Sequence, residues 1–319
     1  MFSSFEPTKY IGWKEISPFG ILIGLFAASY WLLLIMTPSS TFVLPLCPFS
    51  SPHLKGPIKP LLTVLSDEQI MSANPAVQRG GRFRPADCEA RSRAAVVVAY
   101  RDRAAHLQML LSNLHPVMQR QQLDYTIFVV EQAGTGIFNK GTLFNAAFME
   151  INATGRFDCF VFHDVDVYPE NDSNSYGCRA EPTLLATAMN KFRYKPLYDH
   201  FFGAAVSLSA RHFTEINGYP NVYWGWGGED DDIGRRVQRK FGSISRSPLS
   251  IGRYTMATHK SDEGNPKNKR RFDLVNTAQR RFDSDGLNSL NYTLLTKQFR
   301  PLYTWFFVDV GYPVDFEAD

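Results

Sequence analysis

Ala94-Ala95-Val96-Val97-Val98-Ala99 is an uncharged run of small and β-branched residues. Such a run predicts a strand that is buried on both faces, as in a parallel sheet. Residues 104–114 follow with the apolar spacing of an amphipathic helix, and residues 125–130 form a second apolar run. This order predicts a βαβ unit, and hence an α/β fold with a Rossmann-like N-terminal half.

The same alternation continues downstream, where residues 142–151 predict a helix and residues 159–162 predict a further buried strand. The first strand leads into Tyr100-Arg101-Asp102-Arg103 rather than into a Gly-x-Gly-x-x-Gly loop. Because that loop is the usual cradle for a dinucleotide, we do not expect a dinucleotide cofactor.

Two acids follow the strand at residues 159–162, in the sequence His163-Asp164-Val165-Asp166. Ligands of open α/β sheets bind at the carboxyl ends of strands. Residues i and i+2 of an extended segment share a face, so Asp164 and Asp166 are expected to reach a divalent cation or its bound diphosphate together. Taken alone, Asp-x-Asp is also common in polar strand ends.

The most unusual segment is Trp224-Gly-Trp-Gly-Gly-Glu-Asp-Asp-Asp232, which combines two indoles, three glycines and four carboxylates. Indole faces suit the CH faces of a sugar, and carboxylates accept hydrogen bonds from hydroxyls or act as a general base. A carbohydrate site is therefore the favoured interpretation. The alternative is an acidic helix start that complements the helix dipole, and both interpretations can hold together.

Met256-Ala-Thr-His259 places a thioether and an imidazole three residues apart, a spacing that predicts one shared face of a turn or helix. With a carboxylate, this set suits Mn²⁺ better than Mg²⁺, which prefers oxygen ligands. The alternative is a core methionine beside an exposed histidine. A structural zinc site is disfavoured because the cysteines form no close Cys-x-x-Cys pair.

These motifs resemble the beta-1,4-galactosyltransferase family, and the resemblance extends from about Cys47 to the C-terminus. Further matching blocks are Arg120-Gln-Gln-Leu-Asp-Tyr125, Phe138-Asn139-Lys140, Arg271-Phe272-Asp273, Asp285-Gly-Leu-Asn-Ser289 and Pro301-Leu-Tyr303. The resemblance implies a GT-A type nucleotide-sugar glycosyltransferase fold, Mn²⁺ dependence and transfer with inversion at the anomeric carbon.

The resemblance also implies roles for individual residues. Asp166, Met256 and His259 would hold Mn²⁺, and Asp230 would be the catalytic base. Two further carboxylates of the catalytic group, Glu229 and Asp231, would orient hydroxyls. The donor-binding residues would be Arg101, Arg103, Phe138, Lys140, Asp164, Val165, Phe201 and Trp226. The acceptor-binding residues would be Phe192, Tyr198, Gly228, Glu229, Asp231, Arg271, Phe272 and Val275.

Two residues bear on the choice of donor sugar. Phe201 stands where galactose-using relatives carry Tyr and where several relatives that use GalNAc carry an aliphatic residue. Ala204 stands where Gly is usual and adds bulk to the expected donor pocket. We expect UDP-galactose as donor and the 4-hydroxyl of a terminal GlcNAc, on glycoprotein or glycolipid glycans, as acceptor. The alternative is a beta-1,4-N-acetylgalactosaminyltransferase that uses UDP-GalNAc.

The N-terminal region carries no Lys, Arg, Asp or Glu from Ile16 to Leu54. We expect a cytosolic tail at 1–18, a transmembrane signal anchor at 19–36, a Pro-rich stem at 37–60 and a lumenal catalytic domain at 61–319. A cleaved signal peptide is the rival interpretation. A single-pass type II protein of the Golgi membrane fits both the anchor and the family.

A lumenal domain should oxidise its four cysteines, for which sequence alone permits three pairings. The resemblance implies Cys47 with Cys88, which ties the stem to the domain, and Cys159 with Cys178. Glycosylation sequons begin at Asn152, Asn171 and Asn291.

Composition limits the partners further. The net charge is +3, and the basic residues are dispersed apart from a cluster at residues 267–271, so no nucleic acid is expected. The expected partners are a UDP-sugar, a GlcNAc-terminated glycan and a membrane, with a specifier protein or a homodimer as further candidates. Non-catalytic alternatives are a glycan-binding module and an adhesion or scaffold protein.

Overall fold

The computed structural model describes residues 26–31, 44–258 and 265–313. The chain divides into two compact units, Met1–Leu44 and Pro45–Asp319. Residues 26–31 of the first unit are helical. Within the described residues, no helix combines the length and apolar character that a membrane crossing requires. The predicted tail at 1–18 and most of the predicted anchor at 19–36 lie outside the described residues.

The second unit contains helices and strands in alternation. Its helices are α1 (Asp67–Ala73), α2 (Ala104–Arg120), α3 (Lys140–Asn152), α4 (Ala210–Glu215), α5 (Glu229–Phe241) and α6 (Arg271–Asn276). Its strands are β1 (Arg82–Phe83), β2 (Arg93–Tyr100), β3 (Asp124–Gln132), β4 (Cys159–His163), β5 (Val167–Pro169), β6 (Thr183–Leu184), β7 (Ala188–Met189), β8 (Ala205–Ser209), β9 (Ser245–Arg246), β10 (Arg253–Met256), β11 (Thr293–Phe299) and β12 (Thr304–Asp309). Short 3₁₀ turns cover Asn190–Phe192, Ala278–Arg280 and Leu287–Ser289.

The main sheet of the described residues has the strand order β11-β12-β3-β2-β4-β8-β6-β9, and β1 pairs with β3. Its centre is parallel, since β12, β3, β2 and β4 run in one direction, and β8 is antiparallel to β4. Residues of β2 alternate between two cores. Val96 and Val98 pack on the side of α2, and Val97 packs on the side of α3 and α5. The predicted strand, buried on both faces, is confirmed.

The predicted βαβ unit is also confirmed, with one difference in length. Helix α2 continues to Arg120, beyond the predicted end at 114, and Pro116 lies inside it. The extension is stabilised because Leu114, Val117 and Met118 are all buried in the core beside β2.

A smaller sheet stands beside the main one, with the order β5-β10-β7. Strand β10 is antiparallel to β5 and parallel to β7. This sheet connects the chain that leaves β4 to the segment that ends in Met256, so it decides where the predicted metal ligands meet.

Both predicted disulfides are present. Cys47 is bonded to Cys88, with 4.9 Å between their Cα atoms, and Cys159 is bonded to Cys178, with 5.3 Å. The second bond closes a loop that contains Asp164 and Asp166.

Of the three sequon asparagines, Asn171 is buried, and its Oδ1 accepts from the N–H of Ser173. The fold therefore encloses the amide to which a glycan would be attached, and the sequon at Asn171 is a poor one.

Candidate active site

A cleft of about 580 Å³ opens at the carboxyl ends of β2 and β4. Apart from His259, which lies outside the described residues, every predicted catalytic, metal, donor and acceptor residue lines it. These residues are Arg101, Arg103, Phe138, Lys140, Asp164, Val165, Asp166, Phe192, Tyr198, Phe201, Trp226, Gly228, Glu229, Asp230, Asp231, Met256, Arg271, Phe272 and Val275. Residues that are far apart in sequence therefore form a single site.

The acidic run is the start of helix α5, and all four carboxylates lie in its first turn. Gly228 caps the helix at φ 103°, a left-handed conformation that favours glycine. A Cβ there would also approach Tyr223 Cε1 to 2.4 Å, so a side chain cannot be accommodated. The helix-start interpretation is confirmed. The run also lines the cleft, and its role in binding a carbohydrate stays a prediction.

The four carboxylates nevertheless divide into two groups. Glu229, Asp230 and Asp231 line the cleft, whereas Asp232 is fully buried. Asp232 accepts hydrogen bonds from Tyr223 Oη (2.9 Å) and from Arg236 Nε (2.8 Å). Arg281 NH2 donates to it as well, at 3.4 Å. A buried carboxylate with three hydrogen bonds stabilises the helix position and has no access to substrate.

Lys140, the first residue of α3, joins the cleft carboxylates. Its Nζ lies 2.8 Å from Glu229 Oε1, 3.0 Å from Asp230 Oδ1 and 3.3 Å from Asp164 Oδ1. Burial alone would lower the pKa of this ammonium, but the three carboxylates outweigh it and hold the pKa of Lys140 well above its usual range. Lys140 is therefore a fixed cation that links the end of β4 to the start of α5.

Asp230 lies at the floor of the cleft, directly over Gly203. A Cβ at Gly203 would come within 2.3 Å of the Asp230 carboxylate, so only glycine leaves room for it. Burial raises the pKa of Asp230 well above its usual range, Lys140 opposes the shift, and Glu229 and Asp164 add to it. A carboxylate with a raised pKa is a better proton acceptor near neutral pH.

Asp231 is held by two side chains of the segment that precedes β8, those of Tyr198 and His200. Tyr198 Oη donates to Asp231 Oδ1 at 2.5 Å, and His200 Nε2 lies 3.8 Å from the same oxygen. The rings of Tyr198 and His200 are 4.5 Å apart, and Tyr198 meets Phe201 edge to face. This aromatic group fixes the orientation of the Asp231 carboxylate.

The predicted metal ligands lie in two neighbouring backbone segments, whose conformations differ from the predictions. Asp164 and Asp166 do not share an extended segment, because Val165 and Asp166 form a turn between β4 and β5. Both still line the cleft. Met256 is the last residue of β10 and not part of a helix or turn. The strand forms because Tyr254 and Met256 pair with β5.

This pairing brings the thioether and the carboxylate to one place. Met256 is opposite Val167, and the N–H of Ala257 donates to the carbonyl oxygen of Asp166 at 2.8 Å. Asn190 Oδ1 accepts from the N–H of Met256. Among the described residues, no three His, Cys, Asp or Glu side chains form a metal-binding group. The donor set of Asp166 and Met256, a carboxylate and a thioether, fits Mn²⁺.

The outer side of the cleft is rich in exposed aromatic side chains. Trp226 is 56 % exposed and Phe272 is 67 % exposed, and the guanidinium carbon of Arg271 lies 4.6 Å from the centre of the Phe272 ring. The backbone of Trp226 donates to Pro266 and accepts from Asn268, which ties the Trp-Gly segment to the chain that precedes α6. Exposed aromatic faces beside carboxylates are suited to sugars.

Sequence reasoning missed several residues that line the cleft, among them Lys191, His200, Arg235, Asn265 and Asn276. Arg235 was detectable, because it lies four residues after Asp231 and so shares a face of α5. Its NH1 donates to the carbonyl oxygen of Val275 and thereby holds α6 against α5.

Two family models match consecutive parts of the chain. The N-terminal region of glycosyl transferase group 7 matches residues 47–179, and a model described as the N-terminal domain of galactosyltransferase matches residues 183–260. Beta-1,4-galactosyltransferase 3 of Cricetulus griseus is 48% identical over 270 residues, which are 84% of this chain and 68% of the relative. Beta-1,4-galactosyltransferase 1 of Homo sapiens is 45% identical over 271 residues, 85% of this chain and 68% of the relative.

Solved structures give the same fold. The catalytic domain of Drosophila beta1,4galactosyltransferase 7, in complex with xylobiose, has a TM-score of 0.60 and 25% identity, and the match covers 70% of this chain and 96% of that one. A variant of the same enzyme, in complex with manganese, UDP-Gal and xylobiose, has a TM-score of 0.60 and 24% identity, and covers 70% of this chain and 96% of that chain. The mixed α/β fold described above is therefore GT-A-like.

Proposed function

The chain belongs to the beta-1,4-galactosyltransferase family and is a glycosyltransferase, and we propose that it moves galactose from UDP-galactose to the 4-hydroxyl of a terminal GlcNAc with Mn²⁺ as cofactor. The observation that carries this proposal is a single cleft with a carboxylate floor, a carboxylate–thioether pair on one side and exposed aromatic rings on the other.

The nucleotide end of the donor would bind where β2 ends. Arg101 is buried beside Phe138, with its guanidinium carbon 5.2 Å from the ring centre, and its NH1 donates to the carbonyl oxygen of Gly136. A planar guanidinium fixed in this way suits a phosphate or a base edge, and Arg103 lines the same part of the cleft. Asp164 and Val165 would contact the donor from the turn after β4.

Asp166, Met256 and His259 would hold the metal. When bound, Mn²⁺ would stabilise the negative charge that develops on the departing diphosphate. The support for these ligands is the hydrogen bond between the Ala257 and Asp166 backbones, which brings the segment of Asp166 next to the segment of Met256.

Asp230 would be the base. It would take the proton of the acceptor 4-hydroxyl as that oxygen bonds to the anomeric carbon and UDP leaves from the opposite face. One displacement without an enzyme nucleophile inverts the anomeric configuration. Lys140 would keep the Asp230 carboxylate in place, and Glu229 and Asp231 would accept hydrogen bonds from sugar hydroxyls.

The acceptor would lie against the exposed rings. Trp226 would pack against both sugars, and Phe192 and Tyr198 would complete the acceptor wall. Arg271, Phe272 and Val275 would receive the N-acetyl group, which points to terminal GlcNAc. Gly228 would let the acceptor approach the start of α5 closely.

UDP-GalNAc remains the second candidate donor because Phe201 has no hydroxyl. Its ring lines the cleft next to Tyr198 and contributes bulk without a hydrogen-bonding group.

We propose that the protein is located in the Golgi membrane. It would have a type II anchor at 19–36, a stem at 37–60 and a lumenal domain at 61–319. The two disulfides are consistent with an oxidising compartment.

The experiment is a transfer assay with the full-length chain, both disulfides intact. Mn²⁺ and a GlcNAc-terminated acceptor are supplied, with UDP-galactose or UDP-GalNAc in separate reactions. We expect β1,4-linked galactose as the main product and its loss when the metal is chelated. Preferential GalNAc transfer would favour the second candidate. Transfer from neither donor, with the acceptor still bound, would favour a glycan-binding protein.

A further inference from the structure

A chain of buried hydrogen bonds lies behind the turn that carries Asp166. Its members are the side chains of His163, Tyr176, Tyr254 and Asn174, and each of them is 0% exposed. Asn174 Nδ2 is 3.2 Å from Tyr254 Oη, Tyr254 Oη is 3.1 Å from Tyr176 Oη, and Tyr176 Oη is 3.0 Å from His163 Nε2. His163 Nδ1 is 2.7 Å from the carbonyl oxygen of Asp164.

The direction of every hydrogen bond in this chain is determined by its two ends. The carbonyl oxygen of Asp164 can only accept, so His163 Nδ1 carries the proton and, in the neutral ring, Nε2 accepts. Tyr176 must then donate to His163, and its oxygen accepts from Tyr254. Tyr254 in turn accepts from the amide nitrogen of Asn174, whose Oδ1 accepts from Ser247 Oγ at 2.7 Å. Each hydroxyl proton thus has one partner.

The chain connects the segments that bring the proposed metal ligands together. Tyr254 lies on β10, two residues before Met256. Asn174 and Tyr176 lie in the loop closed by the Cys159–Cys178 disulfide. The chain ends at the carbonyl of Asp164, which begins the turn that contains Asp166. Removing one hydroxyl would leave polar groups on both sides of it unpaired.

We propose that Tyr176 and Tyr254 are positioning residues of the Mn²⁺ site, which hold the Asp166 turn and the Met256 strand in the relative position that metal binding requires. The inference rests on the proposed function for the identity of the metal. Outer groups that orient metal ligands commonly change metal affinity by about 10- to 100-fold when they are mutated. We expect the same here although neither tyrosine lines the cleft.

The competing explanation is that these tyrosines only stabilise the core. The molecule offers a matched control, because Tyr125 forms an equivalent pair with a second buried histidine. Tyr125 Oη is 2.8 Å from His115 Nδ1, both residues are 0% exposed, and neither lines the cleft. Y125F therefore removes the same kind of hydrogen bond at a place without proposed metal ligands.

The test measures Mn²⁺ binding to the full-length chain in the presence of UDP, by electron paramagnetic resonance of the free ion. Thermal unfolding is recorded on the same samples. Y176F is expected to bind Mn²⁺ about 10-fold more weakly, Y254F is expected to shift in the same direction, and Y125F is expected to bind as the wild type does. The rate of transfer at saturating Mn²⁺ should stay within about twofold of wild type in Y176F.

Two results for the variants would overturn the inference. One is Y176F with wild-type affinity for Mn²⁺, and the other is Y125F with the same loss of affinity as Y176F. A wild-type chain that transfers sugar but binds no Mn²⁺ would overturn the metal assignment and this inference with it, while leaving the transfer reaction itself established.

Discussion

The cleft has two walls of different construction. The sheet wall consists of side chains at strand ends and at the start of α3, and none of them is fully exposed. They are four charged side chains and one thioether, namely Arg101, Lys140, Asp164, Asp166 and Met256. The outer wall consists of the aromatic side chains Phe192, Tyr198, Trp226 and Phe272, which are 39–67 % exposed. The sheet wall is fixed by the core, the disulfide loop and buried hydrogen bonds, whereas the outer wall is fixed mainly by short loops and α6.

This difference separates two tasks of the proposed reaction. The donor and its metal require fixed charges at fixed positions, and a buried wall supplies them with little reorganisation. A glycan acceptor presents broad apolar faces, for which exposed rings are sufficient. Changes in the sheet wall should therefore affect metal and donor binding. Changes in the outer wall should affect the acceptor alone, except at Trp226, which would contact both sugars.

The largest expected effect is that of Asp166→Asn in the sheet wall. Mutation of residues that hydrogen-bond to metal ligands weakens metal binding by up to about 100-fold. Loss of a charged ligand itself should weaken Mn²⁺ binding by at least this factor, and the transfer rate at low Mn²⁺ concentration should fall as a result. A titration of activity against Mn²⁺ measures this. Asp158→Asn, which alters an exposed ion pair with Arg93 outside the cleft, should leave the titration unchanged. A similar loss in both variants would contradict the division between the walls.

The interior behind the sheet wall also predicts a pH dependence of stability. Burial lowers the pKa of His115 to about 4 from its ordinary value of 6.5. The folded state disfavours the charged ring, so stability is complete above about pH 6.5 and falls as the pH drops towards 4. This histidine alone should contribute a loss of about 3 kcal/mol by pH 4.

Denaturant unfolding between pH 7 and pH 4 measures this loss. His115→Gln should give a shallower decline over the same interval, since glutamine does not titrate. An identical decline in the variant and the wild type would place the responsible group elsewhere.

Phe272→Ala tests the outer wall. Removing an exposed stacking ring worth about 1.4 kcal/mol should raise the KM for the acceptor about 10-fold. The KM for the UDP-sugar and the melting temperature should stay unchanged. Phe299→Ala, which removes a ring of similar exposure (56 %) outside the cleft, is the matched control and should change neither constant. A rise in donor KM for Phe272→Ala would show that the walls are not independent.

The smallest effect is expected for Ala204→Gly at the base of the sheet wall. Ala204 has φ 63°, a left-handed conformation that costs an alanine about 1–2 kcal/mol. Relief of this strain should offset both the lost methyl contact and the greater freedom of glycine in the unfolded chain. The free energy of unfolding should therefore change by less than about 0.5 kcal/mol.

Ala146→Gly provides the contrast, because Ala146 is buried in the middle of α3 and should lose about 1 kcal/mol or more. Equal losses in the two variants, measured by denaturant titration, would mean that Ala204 carries no strain.

The sheet wall could be predicted from sequence much better than the details of the site. Apolar runs identified β2, β3 and β4, and the rule that ligands bind at strand ends placed Asp164 and Asp166 near the cleft. The turn at Val165–Asp166 could not be predicted, because it depends on the pairing of β5 with β10. That pairing joins residues nearly ninety positions apart.

The acidic run at residues 229–232 likewise has features that sequence alone could not predict. Its composition indicated a site, but local sequence could not show that Asp232 turns inward to Arg236 while Asp230 faces the cleft over Gly203. The position of Lys140 among three carboxylates is likewise a tertiary fact, since its partners lie 24, 89 and 90 residues further along the chain. Helical spacing could have found Arg235, and no local signal indicates Asn265 or Asn276.

Asp230, on the floor between the two walls, is the proposed base for sugar transfer. The most direct measurement compares wild type and Asp230→Asn for the rate of galactose transfer and, on the same preparations, for binding of UDP with Mn²⁺. We expect the rate to fall by about 10²- to 10⁴-fold, the range for loss of a general base, and binding to stay within a few-fold of wild type. A variant that keeps a wild-type rate would show that Asp230 is not the base.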